Sequence, residues 1–265
     1  MDFSTAFDSI SRKNLFTKLI EYGISSKLLN IITALYSNIT SCVKLKSSIT
    51  DEFLCERGLR QGDSLSPILF SFYINDLPSI LSPQSEIDSD INVLLYADDL
   101  AILANSREEL QRKLNLLYVY CNDRSLNVNV NKSKIMVFNA RKDTGPFMYN
   151  DFMLEEVDSF KYLGLTINRR ASLKYCQHIL IQQALRAKAT LECYLNKHKH
   201  MPVKVVFELF DTLVKPVVMF NSEIWGINIS KELELFHLSF MKRTLGVKQS
   251  TNNCLIYAET GRYPL

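Results

Sequence analysis

The sequence predicts an α+β protein with short antiparallel strands in front and a helical part behind. Three observations carry this expectation. Up to about residue 168, short apolar runs alternate with stretches of helical spacing. Asn92–Tyr96 and Leu100–Leu103 are two short apolar runs that flank Asp98-Asp99 closely enough to form one hairpin. Beyond Arg169 the strand-like runs give way to helical patterns, so the chain is divided into 1–168 and 169–265.

The elements follow in order. Asp2–Ile10 reads as a strand end running into a turn. Asn14–Tyr22 places Leu15, Phe16, Leu19 and Ile20 at helical spacing, with Gly23 as the stop. A second helix from about Lys27 to Tyr36 carries Leu28, Leu29, Ile32 and Leu35 on one face. Thr40–Leu45 and Phe53–Arg57 read as a hairpin turning near Ser47–Asp51. Ser66-Pro67 opens an apolar helix reaching about Asn75, with proline at a favoured first-turn position. Ser82–Asp90 is an acidic loop. Ser106 and Glu109 have capping-box spacing, and Leu110, Leu114, Leu117 and Cys121 continue that helix on one face. Leu126–Val130, Lys134–Phe138 and Lys161–Ile167 read as extended. Tyr175–Leu195, Val203–Val214 and Lys231–Leu245 read as helices.

Composition narrows the possible functions. Hydrophobic residues are 47% and charged residues 22% of the 265, which excludes a collagen, a disordered tail and a disulfide mini-protein. No window nears the roughly 20 apolar residues that span a bilayer, so no membrane crossing is expected. Six scattered cysteines without a CxxC pair suit reduced thiols in the cytosol or nucleus. Cys193, His198 and His200, or Cys176 and His178, do not give a four-ligand zinc spacing. The net charge of +3 is uneven: −4 over 1–165 and +7 over 166–265. Such a gradient suits a cation site beside a polyanion-holding module, and equally arises by chance.

The chemistry concentrates in the carboxylates. Asp98 and Asp99 are adjacent at a hairpin tip between apolar strands, where two like charges are costly unless neutralised. A hard divalent cation would neutralise them, although Asp-Asp also simply makes a good turn. Upstream, Asp2-Phe3-Ser4-Thr5-Ala6-Phe7-Asp8 again sets an acid at a strand end. Gly58-Leu59-Arg60-Gln61-Gly62-Asp63-Ser64-Leu65-Ser66-Pro67 lies between them. With Tyr96-Ala97-Asp98-Asp99, an NxxKS-like stretch at Asn129–Ser133 and Tyr162-Leu163-Gly164, these segments resemble, in order, the motifs of reverse transcriptases. The resemblance is closest to the non-LTR, LINE-type retrotransposon enzymes and covers residues 2–167.

That resemblance implies a polymerase palm with an antiparallel sheet, followed by a helical thumb and connection-like region. It implies RNA-directed DNA polymerase activity, with two Mg²⁺ (or Mn²⁺) ions serving nucleotidyl transfer onto a primer 3′-end. Asp2, Asp98 and Asp99 would be the metal carboxylates, with the Phe3 carbonyl as an extra ligand. Phe7 would lie under the sugar, or else is an ordinary core ring, and Gln61 and Gly62 would flank the incoming nucleotide. Tyr96 would sit by the primer end, and Tyr162, Leu163 and Gly164 would form the primer grip. Lys132 would face the leaving pyrophosphate, with Lys134 an equally close candidate in sequence. The implied partners are an RNA template, a DNA primer and deoxynucleoside triphosphates. An intracellular location with nuclear access is expected, with a cytoplasmic pool allowed.

The sequence begins one residue before Asp2 and ends as abruptly at Leu265, so the expectation is an N-terminally truncated chain without most of its fingers. The alternatives are a catalytically inactive nucleic-acid-binding remnant, or an intron-encoded or telomerase-type reverse transcriptase.

Overall fold

The computed structural model describes residues 1–82, 91–138, 145–198, 200–227 and 230–265. They form a mixed helix and strand structure in two compact units. Among the described residues, the first unit holds 1–135 and 145–156, and the second holds 136–138 and 157–265.

The first unit opens with β1 (Phe3–Ser4), α1 (Ala6–Ser9), α2 (Arg12–Glu21) and α3 (Ser26–Tyr36). Serine caps fix both longer helices: the Ser11 and Ser25 hydroxyls accept from the N–H of Asn14 and Leu28. The α3 face differs from expectation. It buries Ile32 and Tyr36 and leaves Leu28 and Leu35 exposed, because the Tyr36 hydroxyl anchors the helix end on Ser66 Oγ at 3.1 Å. A two-tier hairpin follows: β2 (Thr40–Ser41) pairs with β5 (Phe53–Leu54), and β3 (Lys44–Leu45) with β4 (Ser48–Ile49). Its turn is therefore tighter and earlier than Ser47–Asp51.

Next come α4 (Ser66–Ile74), with Pro67 in its first turn, and α5 (Leu77–Leu81). The acidic loop expected at Ser82–Asp90 lies, from residue 83 on, outside the described residues. β6 (Val93–Tyr96) and β7 (Asp99–Ile102) form the expected hairpin, and α6 (Arg107–Asp123) packs behind it. Ser106 Oγ caps the Glu109 N–H at 3.1 Å, while Glu109 accepts from Asn105 N–H, one residue earlier than a capping box places it. Lys113 is fully buried. It donates to Asn92 Oδ1 (2.9 Å) and the Leu103 carbonyl (2.7 Å) and pairs with Glu109 (2.6 Å), clamping the open end of the β6–β7 hairpin to α6.

Strands β8 (Asn127–Val128), β9 (Lys134–Ile135), β10 (Phe147–Tyr149) and β11 (Phe152–Glu156) complete the unit. β8 pairs antiparallel with β1, and β11 lies between β10 and β9. The β10–β11 hairpin was not foreseen, although Asn150-Asp151 between two apolar runs is a turn signal.

The second unit starts with the hairpin β12 (Ser159–Tyr162) and β13 (Leu165–Asn168). The single extended run at Lys161–Ile167 is thus folded in two at Leu163-Gly164, where φ is +45° and +87°. A Cβ at Gly164 would lie 2.4 Å from the Phe220 ring, so glycine is required by both space and dihedral. This hairpin belongs to the helical unit, whereas the sequence division at 168/169 placed it in front. The reason is packing: Leu165 joins the buried cluster built by the helices.

Those helices are α7 (Leu173–Lys197), α8 (Val203–Leu213), α9 (Lys215–Val218), α10 (Ser222–Trp225), α11 (Lys231–Thr244) and α12 (Asn253–Thr260). Their shared core includes Leu180, Ala184, Phe210, Val214, Trp225, Phe240 and Met241. No helix among the described residues is long and apolar enough to cross a membrane.

His237 is buried in this core, stacked on Phe210 at 5.7 Å, with neither ring nitrogen hydrogen-bonded. Burial first, then the charges of Arg262 and Lys215, push its pKa down to about 4. The unfolded chain takes the proton near the ordinary value of about 6.5. Stability is therefore full above pH 6.5 and falls as pH drops from there to about 4, by roughly 3 kcal/mol. The H237F variant is expected to flatten this part of the pH dependence, as urea titrations at pH 7 and pH 5 would read.

Candidate active site

β6 and β7 meet at Ala97-Asp98, closed by the Tyr96–Asp99 pair. Ala97 adopts φ +52°, a conformation costing an L-residue roughly 1–2 kcal/mol. The turn therefore holds Asp98 beyond the last rung of the ladder. On the other side of β7 lies the chain start. The Met1 ammonium donates to the Leu100 carbonyl at 2.6 Å, and the Leu100 N–H donates to the Met1 carbonyl at 3.1 Å. Asp2 consequently bridges to Asp99 as the next antiparallel rung. A rung beside a doubly bonded one is non-hydrogen-bonded, and such rungs bring side chains closest, on one face of the sheet.

The strand order across the site is thus β6–β7–β1–β8, with the Asp2–Asp99 bridge joining two hairpin-like pairs. Asp2 is held at both backbone groups: its N–H donates to the buried Ser133 Oγ (3.1 Å) and its carbonyl accepts from Asn129 N–H (2.8 Å). Successive strand carbonyls alternate in direction. Since that of Asp2 faces β8, the Phe3 carbonyl faces the Asp99 edge. The Phe3 ring is buried against Phe70, edge on, at 6.5 Å.

The electrostatics are unbalanced. Burial first, then the charges of Asp98 and Asp2, raise the Asp99 carboxyl above its ordinary range. The Met1 ammonium offsets part of this, and Lys132 Nζ lies 3.6 Å from Asp2 Oδ2. A turn places it, with the Lys132 N–H donating to both oxygens of Asn129 at 3.2 Å. Lys134 is instead engaged by Glu155 at 2.6 Å. Of the two lysines that the sequence left level, only Lys132 stands at the acids.

Asp2 and Asp99 come together, while Asp98 stays in the turn, near enough for its charge to act on Asp99. Among the described residues, no three His, Cys, Asp or Glu close around one point as metal ligands do. The donor chemistry nevertheless fits a divalent cation: oxygen-only ligands, with mutual repulsion expressed at Asp99. Asp2, Asp98, Asp99 and the Phe3 carbonyl are the groups that would hold it.

The Gln-Gly loop is tied to the segment after β1. Leu59 N–H donates to the Phe7 carbonyl (2.8 Å) and Gly58 N–H to that of Ile10 (2.9 Å). Gly58 has φ +86°, and a Cβ there would lie 2.8 Å from the Asp8 carbonyl oxygen. Phe7 stacks on Phe70 at 4.9 Å. Gln61 Nε2 donates to both Asp8 carboxylate oxygens, at 3.2 and 3.1 Å. Gly62 takes φ +82° with nothing crowding its Cα.

Arg12 clamps the same loop, donating to the carbonyls of Tyr36, Cys55, Arg57 and Gly58 at 2.7–3.1 Å. Sequence reasoning missed Arg12 and gave Asp8 no task, since neither partner set is readable from spacing. Tyr96 is exposed at the hairpin end. Tyr162, Leu163 and Gly164 form the β12–β13 turn of the second unit.

Acids bridged across a sheet thus stand on one unit with a lysine and the Gly58–Gly62 loop. Comparison with known proteins makes this specific. Residues 1–167 match the family described as reverse transcriptase (RNA-dependent DNA polymerase), and the chain belongs to that family. It is 26% identical over 186 residues to the RNA-directed DNA polymerase from mobile element jockey of Drosophila melanogaster, covering 66% of this chain and 20% of that protein. It is 29% identical over 179 residues to a retrovirus-related Pol polyprotein from type-1 retrotransposable element R2 of Popillia japonica, covering 62% of this chain and 25% of that one. The chain thus spans a quarter or less of the length of these relatives.

Proposed function

We propose that this chain carries the catalytic centre of a non-LTR retrotransposon's RNA-directed DNA polymerase, extending a primer 3′-end on an RNA template. The observation that carries the reading is the Asp2–Asp99 bridge with Asp98 in the adjoining turn. In this reading the first unit is the palm and the second begins with the primer grip and continues as the thumb. Two Mg²⁺ (or Mn²⁺) ions, when bound, would activate the primer hydroxyl and offset the triphosphate charge.

The chain's own residues supply the rest. Asp2, Asp98, Asp99 and the Phe3 carbonyl hold the cation-binding edge. Lys132, fixed by Asn129, offers a charge and a proton to the departing pyrophosphate. Phe7, kept flat by Phe70, floors the sugar, and the Gly62 backbone admits the nucleotide closely. Tyr96 at the hairpin end meets the primer terminus, and Tyr162, Leu163 and Gly164 serve as the primer grip. The excess of Lys and Arg in 166–265 suits a template–primer backbone.

The test is primer extension on an RNA template with Mg²⁺. D98N is expected to reduce incorporation by at least about 10³-fold with template–primer binding retained, since a lost metal carboxylate removes several kcal/mol of transition-state stabilisation. Undiminished extension by D98N would overturn the site. Salt-sensitive binding with no incorporation by the unaltered chain would favour the inactive remnant.

A further inference from the structure

We propose that Asp8 is a positioning residue that fixes the orientation of the Gln61 amide toward the incoming nucleotide; this rests on the polymerase reading above. A glutamine amide has two flip states of nearly equal shape, one presenting a donor and the other an acceptor on a given side. On an exposed loop, nothing intrinsic chooses between them. Here the Asp8 carboxylate, 3.2 and 3.1 Å from Gln61 Nε2, makes the choice. An ionised carboxylate only accepts, so the end facing it must be the NH₂ group. Oε1 and the second N–H are thereby turned to the other side, as one acceptor and one donor with a fixed arrangement.

The approach of Asp8 to this loop is built rather than incidental. Two backbone bonds, Leu59 N–H to Phe7 O and Gly58 N–H to Ile10 O, hold the segments in register around Asp8. Gly58 leaves no room for any side chain against the Asp8 backbone. Arg12, on the following helix, gathers the carbonyls of Cys55, Arg57 and Gly58 and keeps the loop from drifting away. The carboxylate that ends this register is the one that receives Gln61. Charge-assisted bonds of this kind are worth enough to set a side-chain conformer even with partial solvent access.

The test uses the full chain and two readouts. In amide NMR, the Gln61 side-chain NH₂ pair, assigned by its disappearance in Q61L, is expected to shift and to exchange faster with solvent in D8N. In primer extension, D8N is expected to raise KM for the deoxynucleoside triphosphate about tenfold, the equivalent of one charge-assisted bond, with kcat changed by less than about threefold. D8E, which keeps an acceptor-only group, is expected to retain the NH₂ signature and most of the affinity, and it keeps the proposal testable should D8N fold poorly. Unchanged Gln61 resonances in D8N, or equal losses in kcat, nucleotide affinity and melting temperature for both variants, would overturn the proposal. Absence of extension by the unaltered chain would instead sink the polymerase reading, and the resonance comparison would still decide the role of Asp8.

Discussion

Replacing Asp99 with asparagine is expected to abolish primer extension, by at least about 10³-fold, while making the metal-free chain melt at a higher temperature. The two effects share one cause. Asp99 faces Asp2 across a non-hydrogen-bonded rung and has Asp98 as its neighbour, and its carboxyl is pushed up by burial and by both charges. A carboxylic acid with a raised folded-state pKa binds protons more readily when folded. Its contribution to stability therefore improves as pH falls through the folded pKa and is least favourable at neutral pH. D99N removes that cost while keeping a similar shape. The same substitution takes away a cation ligand, so added Mg²⁺ should raise the melting temperature of the unaltered chain more than that of D99N. Melting curves in EDTA and in millimolar Mg²⁺, set beside extension rates, check both halves. Should D99N melt lower in EDTA and respond to Mg²⁺ like the parent, these acids would be structural and the metal-site reading would fail.

Much of the local structure around these acids could be read from the chain because its signals are local. The β6–β7 hairpin and the Ser106 cap each occupy a few consecutive residues whose apolar neighbours fix their form, although the turn falls at Ala97-Asp98, one residue before the expected Asp98-Asp99 tip. The longer helices were legible for the same reason, and five of them begin at a serine whose hydroxyl accepts from the N–H three residues on: Ser11, Ser25, Ser106, Ser172 and Ser230. The choice between Lys132 and Lys134 was not legible, because it turns on Glu155, 21 residues downstream of Lys134. The bend at Leu163-Gly164 was expected from the resemblance, where glycine permits a tight turn, but not from the apolar pattern, which runs on through it. The α3 face was misjudged because Tyr36, a residue with both apolar and polar demands, outweighed three leucines by finding Ser66 and lying under Arg12. Helix α12 escaped notice since its cap is the lone Asn252 and only Ile256 is buried. What sequence periodicity cannot show is the polar partner that arrives from far along the chain.

Asp76 is the strongest case of such a partner, and its removal should be the most damaging single change to the first unit. At the start of α5 it accepts from Lys18 of α2 at 2.5 Å, from Arg124 at the end of α6 at 2.6 Å and from the Tyr120 hydroxyl at 2.7 Å. Lys18 also reaches the Tyr73 carbonyl, and Arg124 lies over the Tyr120 ring at 4.1 Å. Burial alone would raise the Asp76 pKa, but the bonds from Lys18 and Tyr120 and the charges of Lys18 and Arg124 hold it below the ordinary value. Its contribution is thus present above the unfolded-state pKa and is lost as pH falls through the folded one, well below neutrality. D76A would strand two cations and a tyrosine hydroxyl in a partly dry seam between three helices, and breaking a buried pair this way costs about 3–5 kcal/mol. Tyr120→Phe, which strands nothing charged, should cost only about 1 kcal/mol. The replacement of Lys18, Asp76 and Arg124 together by leucine or methionine should recover most of the D76A loss, because no uncompensated charge remains. Urea titrations of the three variants at pH 7 read these differences, and a D76A loss no larger than that of Tyr120→Phe would show the cluster to be solvated. The consequence for function is indirect but specific. The cluster joins α6, whose Lys113 clamps the β6–β7 hairpin, to α5, which follows the helix capping the Gln-Gly loop. Below its own melting transition, D76A should therefore keep kcat within about threefold of the parent per folded molecule while inactivating at lower temperature, a split that a substituted metal ligand cannot produce.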